Sequence, residues 1–265
     1  MLFTQLIKAN LQSKSLGHEI EYYQRLGSTN VEAFELIDRG EIVDGTVIIT
    51  DHQFEGKGRQ GRSWFASPGK SVVFSTILRL EIPTQQSGLL SLAAGVAMAE
   101  AVEKFGLVPA LKWPNDIRIG SKKCGGVLME AKVKKDSVEY AVVGIGLNVN
   151  ESLNELPEEI RNSATTLFAE KGSPLQRELA VAWILNALEQ WIHALKNGEI
   201  VSLRSAWLER CDHLNKTITF TNNGEKSSGT FSGIGENGAA LVKTSEREIC
   251  LLNTSPRPRH QRGSG

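Results

Sequence analysis

Apolar positions along the chain recur with periods near 3.6 and near 2, and the switches between them mark the elements. Leu2–Leu11 is a candidate N-terminal helix. Glu19–Leu26 reads as a strand, although Ile20, Tyr22 and Tyr23 break strict alternation. Ala33, Phe34, Leu36 and Ile37 form a helical stripe that Gly40 stops, and Thr29 with Glu32 has capping-box spacing at its start. Thr46–Asp51 is a short apolar, β-rich run, and Ser71–Leu80 is a second strand. Ser87–Phe105 is apolar nearly all round, which predicts a central helix ended by Gly106. Val108–Trp113 and Ile117–Ile119 flank a turn at Pro114-Asn115-Asp116. Gly126–Val133 and Ser137–Val143 read as a strand pair joined at Lys134-Lys135-Asp136. Ser173 as N-cap, with Pro174 and Gln176, predicts the start of a long helix. Leu179, Trp183, Leu188, Trp191 and Leu195 are its stripe, Gly198 ends it, and a further helix spans Val201–Cys211.

The pattern then changes. Lys216–Leu252 alternates over short runs such as Thr217-Ile218-Thr219-Phe220, punctuated by Asn222-Asn223-Gly224, Gly233, Gly235 and Asn237-Gly238, which predicts a small β-barrel. The expected organisation is an α+β domain over 1–212, with a mixed or antiparallel sheet and helices, a β-module over 213–255, and a disordered basic tail over 256–265.

Composition narrows the field by exclusion. Thirty Lys plus Arg balance thirty Asp plus Glu, so nothing draws the chain generally toward nucleic acid or anionic membrane, and an anion site has to be local. No run approaches the roughly eighteen apolar residues of a membrane span. Cys124, Cys211 and Cys250 fit no metal spacing and cannot all pair within one chain, which suggests a reducing cytoplasm. Met1–Asn10 does not read as a secretory leader.

Five segments carry candidate chemistry. In Gln53–Trp64, Gly56, Gly58 and Gly61 alternate with Lys57, Arg59 and Arg62: glycines allow close backbone approach and the cations clamp phosphate oxygens. It lacks the Walker frame, and a basic surface loop is the bland alternative. Lys112-Trp113-Pro114-Asn115-Asp116 sets a cation, an aromatic ring and two polar groups at one strand end, or is simply a turn with a buried Trp. Lys123, beside Gly125 and Gly126, points into a pocket or belongs to a solvated Lys pair. Gly144-Ile145-Gly146-Leu147-Asn148 fits a flat ligand against backbone, with Asn148 reading a base edge, or a plain bulge. Ser28-Thr29-Asn30 caps a helix or satisfies a polar ligand.

The order of these segments is more specific than any one of them. Ser-Thr-Asn, Gln-x-x-Gly-Lys-Gly-Arg-x-Gly-Arg-x-Trp, Lys-Trp-Pro-Asn-Asp, Lys-x-x-Gly-Val-Leu-x-Glu and Gly-x-Gly-x-Asn, in that sequence, resemble the biotin–protein ligase family over about Ile20 to Asn150, and the β-module resembles its C-terminal domain. The resemblance implies a catalytic domain like that of class II aminoacyl-tRNA synthetases plus a small SH3-like barrel. It implies that biotin and ATP form biotinyl-5′-adenylate, that Mg²⁺ assists, and that biotin passes to a lysine of a biotin carboxyl carrier protein.

By motif position, Ser28, Thr29, Asn30, Gln53, Gly56, Lys57, Gly58, Arg59, Lys123, Gly126 and Gly144 would contact biotin. Arg59, Arg62, Trp64, Lys112, Asn115 and Asn148 would serve ATP, with Arg59 and Lys123 closest to the reacting groups. No metal cage is named, and Asp116 is a candidate helper. The glycine-rich loop would be a lid, disordered without ligand. Lys57 replaces the family's usual Arg, and Gln60 stands where a second Arg is common. The stretch before Ser28 is too short for a winged helix, so no specific DNA binding is expected, and a homodimer is left open. The competing readings are a lipoate or octanoate ligase and a non-catalytic biotin sensor.

Overall fold

The structure, a computed structural model, describes every residue except Ile42, Asn223, Gly224, Glu246 and 252–265. The expected tail therefore lies outside the described residues. The chain opens with helix α1 (Thr4–Ala9), strand β1 (Ile20–Tyr23), helix α2 (Thr29–Arg39) and strand β2 (Val47–Thr50). Strand β3 (Val72–Pro83) leads into the central helix α3 (Gly88–Lys104). Then come β4 (Pro109–Lys112), β5 (Asp116–Ile119), β6 (Lys122–Lys134) and β7 (Ser137–Leu147). Two short helices, α4 (Glu158–Arg161) and α5 (Leu167–Lys171), precede the long α6 (Arg177–Lys196) and α7 (Ile200–Glu209). The C-terminal strands are β8 (Thr217–Asn222), β9 (Glu225–Ile234), β10 (Ala240–Lys243) and β11 (Glu248–Leu251).

The first seven strands form one sheet in the order β1-β2-β3-β7-β6-β5-β4. Only the β1–β2 pair is parallel. Period-two alternation divides the faces. Phe74 and Leu78 on β3 and Val143 and Ile145 on β7 join α3 and α6 in the main core. Ile77 and Val142 point the other way and, with Ile48, meet Ala33, Phe34, Leu36 and Ile37 of α2 in a second cluster. That second face, beyond the end of α2, is where the site lies.

Several expectations shift. The capping box at Thr29 does not form. Ser28 is the N-cap, the Thr29 amide and hydroxyl both go to Gln53 Oε1, and Glu32 instead accepts from Tyr23 Oη at 3.0 Å. The long helix starts at Arg177, not at Ser173. Asn150 exchanges hydrogen bonds with the Leu175 backbone in both directions, at 2.8 Å each, which holds the preceding residues extended. Strands β6 and β7 outrun their expected lengths, so Gly144 and Gly146 sit inside a strand and not at its end. The glycines hid that continuity from a propensity reading.

The C-terminal strands make a four-stranded antiparallel sheet, order β11-β10-β9-β8, compatible with the SH3-like part expected there. It does not have a core to itself. Phe231, Ile234, Ala240 and Val242 belong to the same cluster as α3, α6 and Trp207 of α7. The seam is aromatic: the His213 ring lies 4.3 Å from Phe231 and 6.1 Å from Trp207.

Truncating Phe231, which is 0% exposed, should therefore destabilise the whole chain. We expect Phe231→Ala to lower stability by about 3–5 kcal/mol in a single urea transition followed by tryptophan fluorescence. A separate early transition that leaves the main one unmoved would show that the sheet folds on its own.

Candidate functional site

Strand register builds the floor. Gly144 pairs with Ser75 on one side and Leu128 on the other, and Gly146 pairs with Val73 and Gly126. All six residues share a face, and three of them are glycines. Missing side chains leave a hollow over β6 and β7, and other groups settle directly onto the backbone. A Cβ on Gly146 would lie 2.4 Å from the Trp64 ring, and one on Gly144 would lie 2.2 Å from Asn30 Oδ1. The hollow opens into a cavity of about 770 Å³.

Helix α2 presents its N-terminus at one end. Gln53 Oε1 accepts from the Thr29 amide at 2.9 Å, a side-chain cap supplied by the loop rather than by the helix. Asn30 is fully engaged: its Nδ2 donates to Glu130 Oε2 at 2.8 Å and to the Leu128 carbonyl at 3.2 Å, and its Oδ1 accepts from Ser75 Oγ at 2.6 Å. Ser75, Thr29 and Asn30 are all buried. This end is polar, saturated with hydrogen bonds and close to the sheet. Ser75 and Glu130 complete it; Glu130 closes the Lys-x-x-Gly-Val-Leu-x-Glu motif, whereas Ser75 lies outside every motif, because a lone Ser in an apolar strand gives no pattern.

The other end is cationic. The glycine-rich loop folds as a hairpin, with Gly58 N–H to the Arg62 carbonyl at 2.7 Å and Trp64 N–H to the Gly56 carbonyl at 2.9 Å. It carries Lys57, Arg59 and Arg62 to the cavity wall, opposite Lys112, Asn115 and Lys123. Arg59 Nη1 reaches Asn115 Oδ1 at 3.5 Å. Burial pulls the Arg59 guanidinium below its ordinary value, and the charge of Asp116 opposes that pull. Lys123 Nζ donates to Asp116 Oδ1 at 2.5 Å and lies 5.5 Å from the centre of the Trp64 ring. A side chain at Gly126 would lie 3.2 Å from that ammonium, so the glycine clears its path. Asp116 is the one carboxylate of the cavity wall among the described residues. The indole Nε1 of Trp64 is buried and has no hydrogen-bond partner among the described residues. Such a donor is costly unless something accepts from it.

Two expected contacts are not brought to the wall. Asn148 gives its side-chain amide to the Thr165 carbonyl at 3.1 Å and its backbone N–H to the Cys124 carbonyl, so it braces β6 and α5 from behind. Gly56 is needed inside the hairpin instead: a Cβ there would lie 2.3 Å from the Trp64 carbonyl oxygen. The remaining expected residues, from Ser28 to Gly144, line one cavity. Also lining it are residues the motifs did not include: His213, Ile218, Thr219, Phe220, Cys250 and Leu251. The last five come from a β-module whose short alternating runs carry no chemical signature. No cluster of three or more metal-ligating side chains occurs among the described residues.

The arrangement can hold a ligand with a polar head at the α2 end and bring its other end among cations. Comparison with known proteins agrees in kind. Residues 22–148 match the Biotin/lipoate A/B protein ligase family. The chain is 31% identical over 241 residues to the Bifunctional ligase/repressor BirA of Bacillus subtilis, covering 91% of this chain and 74% of that one. It is 34% identical over 185 residues to the Biotin--[acetyl-CoA-carboxylase] ligase of Mycobacterium tuberculosis, covering 68% and 66%. The biotin protein ligase from Aquifex aeolicus in complex with biotin and ATP superposes with a TM-score of 0.75 at 28% identity, covering 90% of this chain and 97% of that one.

The floor glycines generate a direct test. Gly146→Ala should push the Trp64 ring off the sheet and loosen the hairpin. Trypsin cleavage after Arg59 and Arg62 should then rise by about tenfold or more, as expected when local opening becomes easier by ~1.4 kcal/mol. Unchanged cleavage would mean that the ring accommodates the methyl group.

Proposed function

The chain belongs to the biotin/lipoate A/B protein ligase family, and on that premise we propose the following mechanism for it as an ATP-dependent biotin–protein ligase. A carboxylate oxygen of biotin attacks the α-phosphorus of ATP, pyrophosphate leaves, and biotinyl-5′-AMP remains bound. The ε-amine of an acceptor lysine then attacks the activated carbonyl, and AMP leaves with the electron pair of the broken C–O bond. The observation that carries this reading is the single cavity in which a polar, glycine-floored end meets a cationic end. Its volume of about 770 Å³ suits two ligands bound end to end.

At the α2 end, Ser28, Thr29 and Gln53 are assigned to the polar ring system of biotin, with Asn30 and Ser75 fixing Thr29 in place. Lys57, Gly58, Gly126 and Gly144 flank the chain between ring and carboxylate. The first step brings two anions together, so it depends on fixed positive charge. Lys123 is assigned to the carboxylate–phosphate junction, and Asp116 orients its ammonium from 2.5 Å away. Arg59 is assigned to the α-phosphate, with Arg62, Lys112 and Asn115 on the rest of ATP. The flat Trp64 ring suits a base that stacks on it. Asn148 is assigned to bracing the wall and not to the base.

Mg²⁺ would travel with the ATP phosphates, and one wall carboxylate, Asp116, fits an ion that keeps most of its ligands from phosphate and water. The ion would neutralise phosphate charge. The hairpin over Gln53–Trp64 acts as the lid that keeps water from the mixed anhydride. The acceptor is assigned as a biotin carboxyl carrier domain and the compartment as the cytoplasm, where both ATP and that carrier occur. No helix among the described residues is long and apolar enough to cross a membrane.

The purified chain should release pyrophosphate from ATP only when biotin is present. Release with lipoate and not biotin, or no release at all, would overturn the reading. Lys123→Ala should lower kcat/KM for adenylate formation by about 10²–10³, the effect of losing one preorganised charge stabiliser. Arg59→Ala should let the adenylate escape and label bystander proteins, seen by streptavidin blotting of a protein mixture. Strict labelling of the acceptor alone would remove Arg59 from the lid.

A further inference from the structure

Trp113 lies in the Lys-Trp-Pro-Asn-Asp segment, yet none of the roles above uses it. Its indole Nε1 donates to the Gly238 carbonyl at 3.2 Å, across the seam between the large sheet and the C-terminal sheet. Gly238 sits in the tight β9–β10 turn, where its N–H reaches the Gly235 carbonyl at 3.0 Å and Gly235 N–H reaches the Ala239 carbonyl at 2.8 Å. The turn is wedged against the start of α3. Gly238 has φ +83°, and a Cβ there would lie 3.0 Å from the Gly88 carbonyl carbon and 3.1 Å from the Leu89 nitrogen. Only glycine fits that conformation and that approach.

The position of this turn matters because of where the rest of the sheet goes. Strands β8 and β11 are its two outer strands. Phe220 on β8 and Cys250 on β11 nevertheless line the same cavity as Lys112 and Trp113. The sheet must therefore curve around the cationic end, and its placement sets the width of that end. A second tie, Arg204 Nε to the Ile234 carbonyl at 2.8 Å, holds the end of β9 that enters the same turn. That tie involves no wall residue. The Trp113 tie starts from the wall itself, one residue from Lys112.

We propose that Trp113 is a positioning residue: by its hydrogen bond to Gly238 it seats the C-terminal sheet as the outer wall of the nucleotide end of the cavity. This inference rests on the assignment of that end to ATP. The role is directional. It predicts that loosening the latch widens the nucleotide end and leaves the α2 end, on the opposite side of the floor, unaltered.

The test compares Trp113→Phe, which keeps an aromatic ring and removes the donor, with Gly238→Ala, which disturbs the other partner at a residue that does not itself line the cavity. ATP and biotin affinities are measured separately by titration calorimetry, alongside KM for ATP in pyrophosphate release. Each variant should weaken ATP by about three- to tenfold, the range for one lost hydrogen bond, with biotin affinity within about twofold of wild type. The double variant should be no worse than the stronger single one, since both break one tie. Unchanged ATP affinity in folded Trp113→Phe, an equal loss for biotin, or additive penalties would each overturn the proposal. Should Gly238→Ala fail to fold, the ATP-versus-biotin split in Trp113→Phe decides alone. A wild-type chain that binds ATP but releases no pyrophosphate would sink the ligase reading, and the binding titrations would still decide the latch.

Discussion

Register between β6 and β7 is the constraint on which the site depends. Because side chains alternate strictly, pairing Gly144 with Leu128 and Gly146 with Gly126 puts three glycines on one face. A slip of one residue would turn that face toward α3 and bring Val127, Met129, Val143 and Ile145 up in its place. The hollow would fill with aliphatic side chains. Trp64 and Asn30 would lose the bare backbone they rest on, and with them the loop and the helix start would lose their seats. The long antiparallel ladder and its core-facing residues hold the register, so the core specifies the cavity from the opposite side of the sheet.

Around that floor the polar groups are arranged in two different ways. At the α2 end they satisfy one another: Ser75, Thr29, Asn30, Glu130 and Gln53 form a connected set. Such a set is rigid and discriminating, since a ligand without matching donors and acceptors would leave buried groups unpaired. At the other end the groups are mostly cations with one carboxylate between them, suited to a ligand that brings its own negative charge. One chain of contacts, Trp64 on Gly146 and Lys123 beside Trp64, joins the glycine floor to the cationic end.

Much of this was legible in the sequence, and what was not has physical causes. The ordered motifs named most of the wall, because glycine spacing and interleaved cations leave a local signature. Helix α2 does begin at Thr29, but its expected capping box is displaced because Gln53 takes the Thr29 amide from the loop. The long helix begins at Arg177 rather than at Ser173 because Asn150 holds the Leu175 backbone; neither distant partner is visible to a local rule. Asn148 was assigned to a ligand because an Asn after a glycine strand resembles a reader of base edges. Its actual partner, Thr165, lies in a segment whose short helices gave no periodicity. Ser75, Trp113 as a tie, and the β8 and β11 contribution to the wall were invisible for a similar reason. Each depends on which strands end up adjacent.

The hydrogen bonds from Thr29 to Gln53 commit to the protein's own loop the donors that open helix α2. An incoming ring that needs the Thr29 donors competes with an amide already in place, and binds only the fraction of molecules in which Gln53 has let go. Apparent affinity is then the intrinsic affinity reduced by that fraction. A substitution that merely weakens the internal bond could tighten binding without adding any contact to the ligand. The loop and the helix start are thus coupled through one amide, so that what loosens the hairpin also frees the donors of the helix.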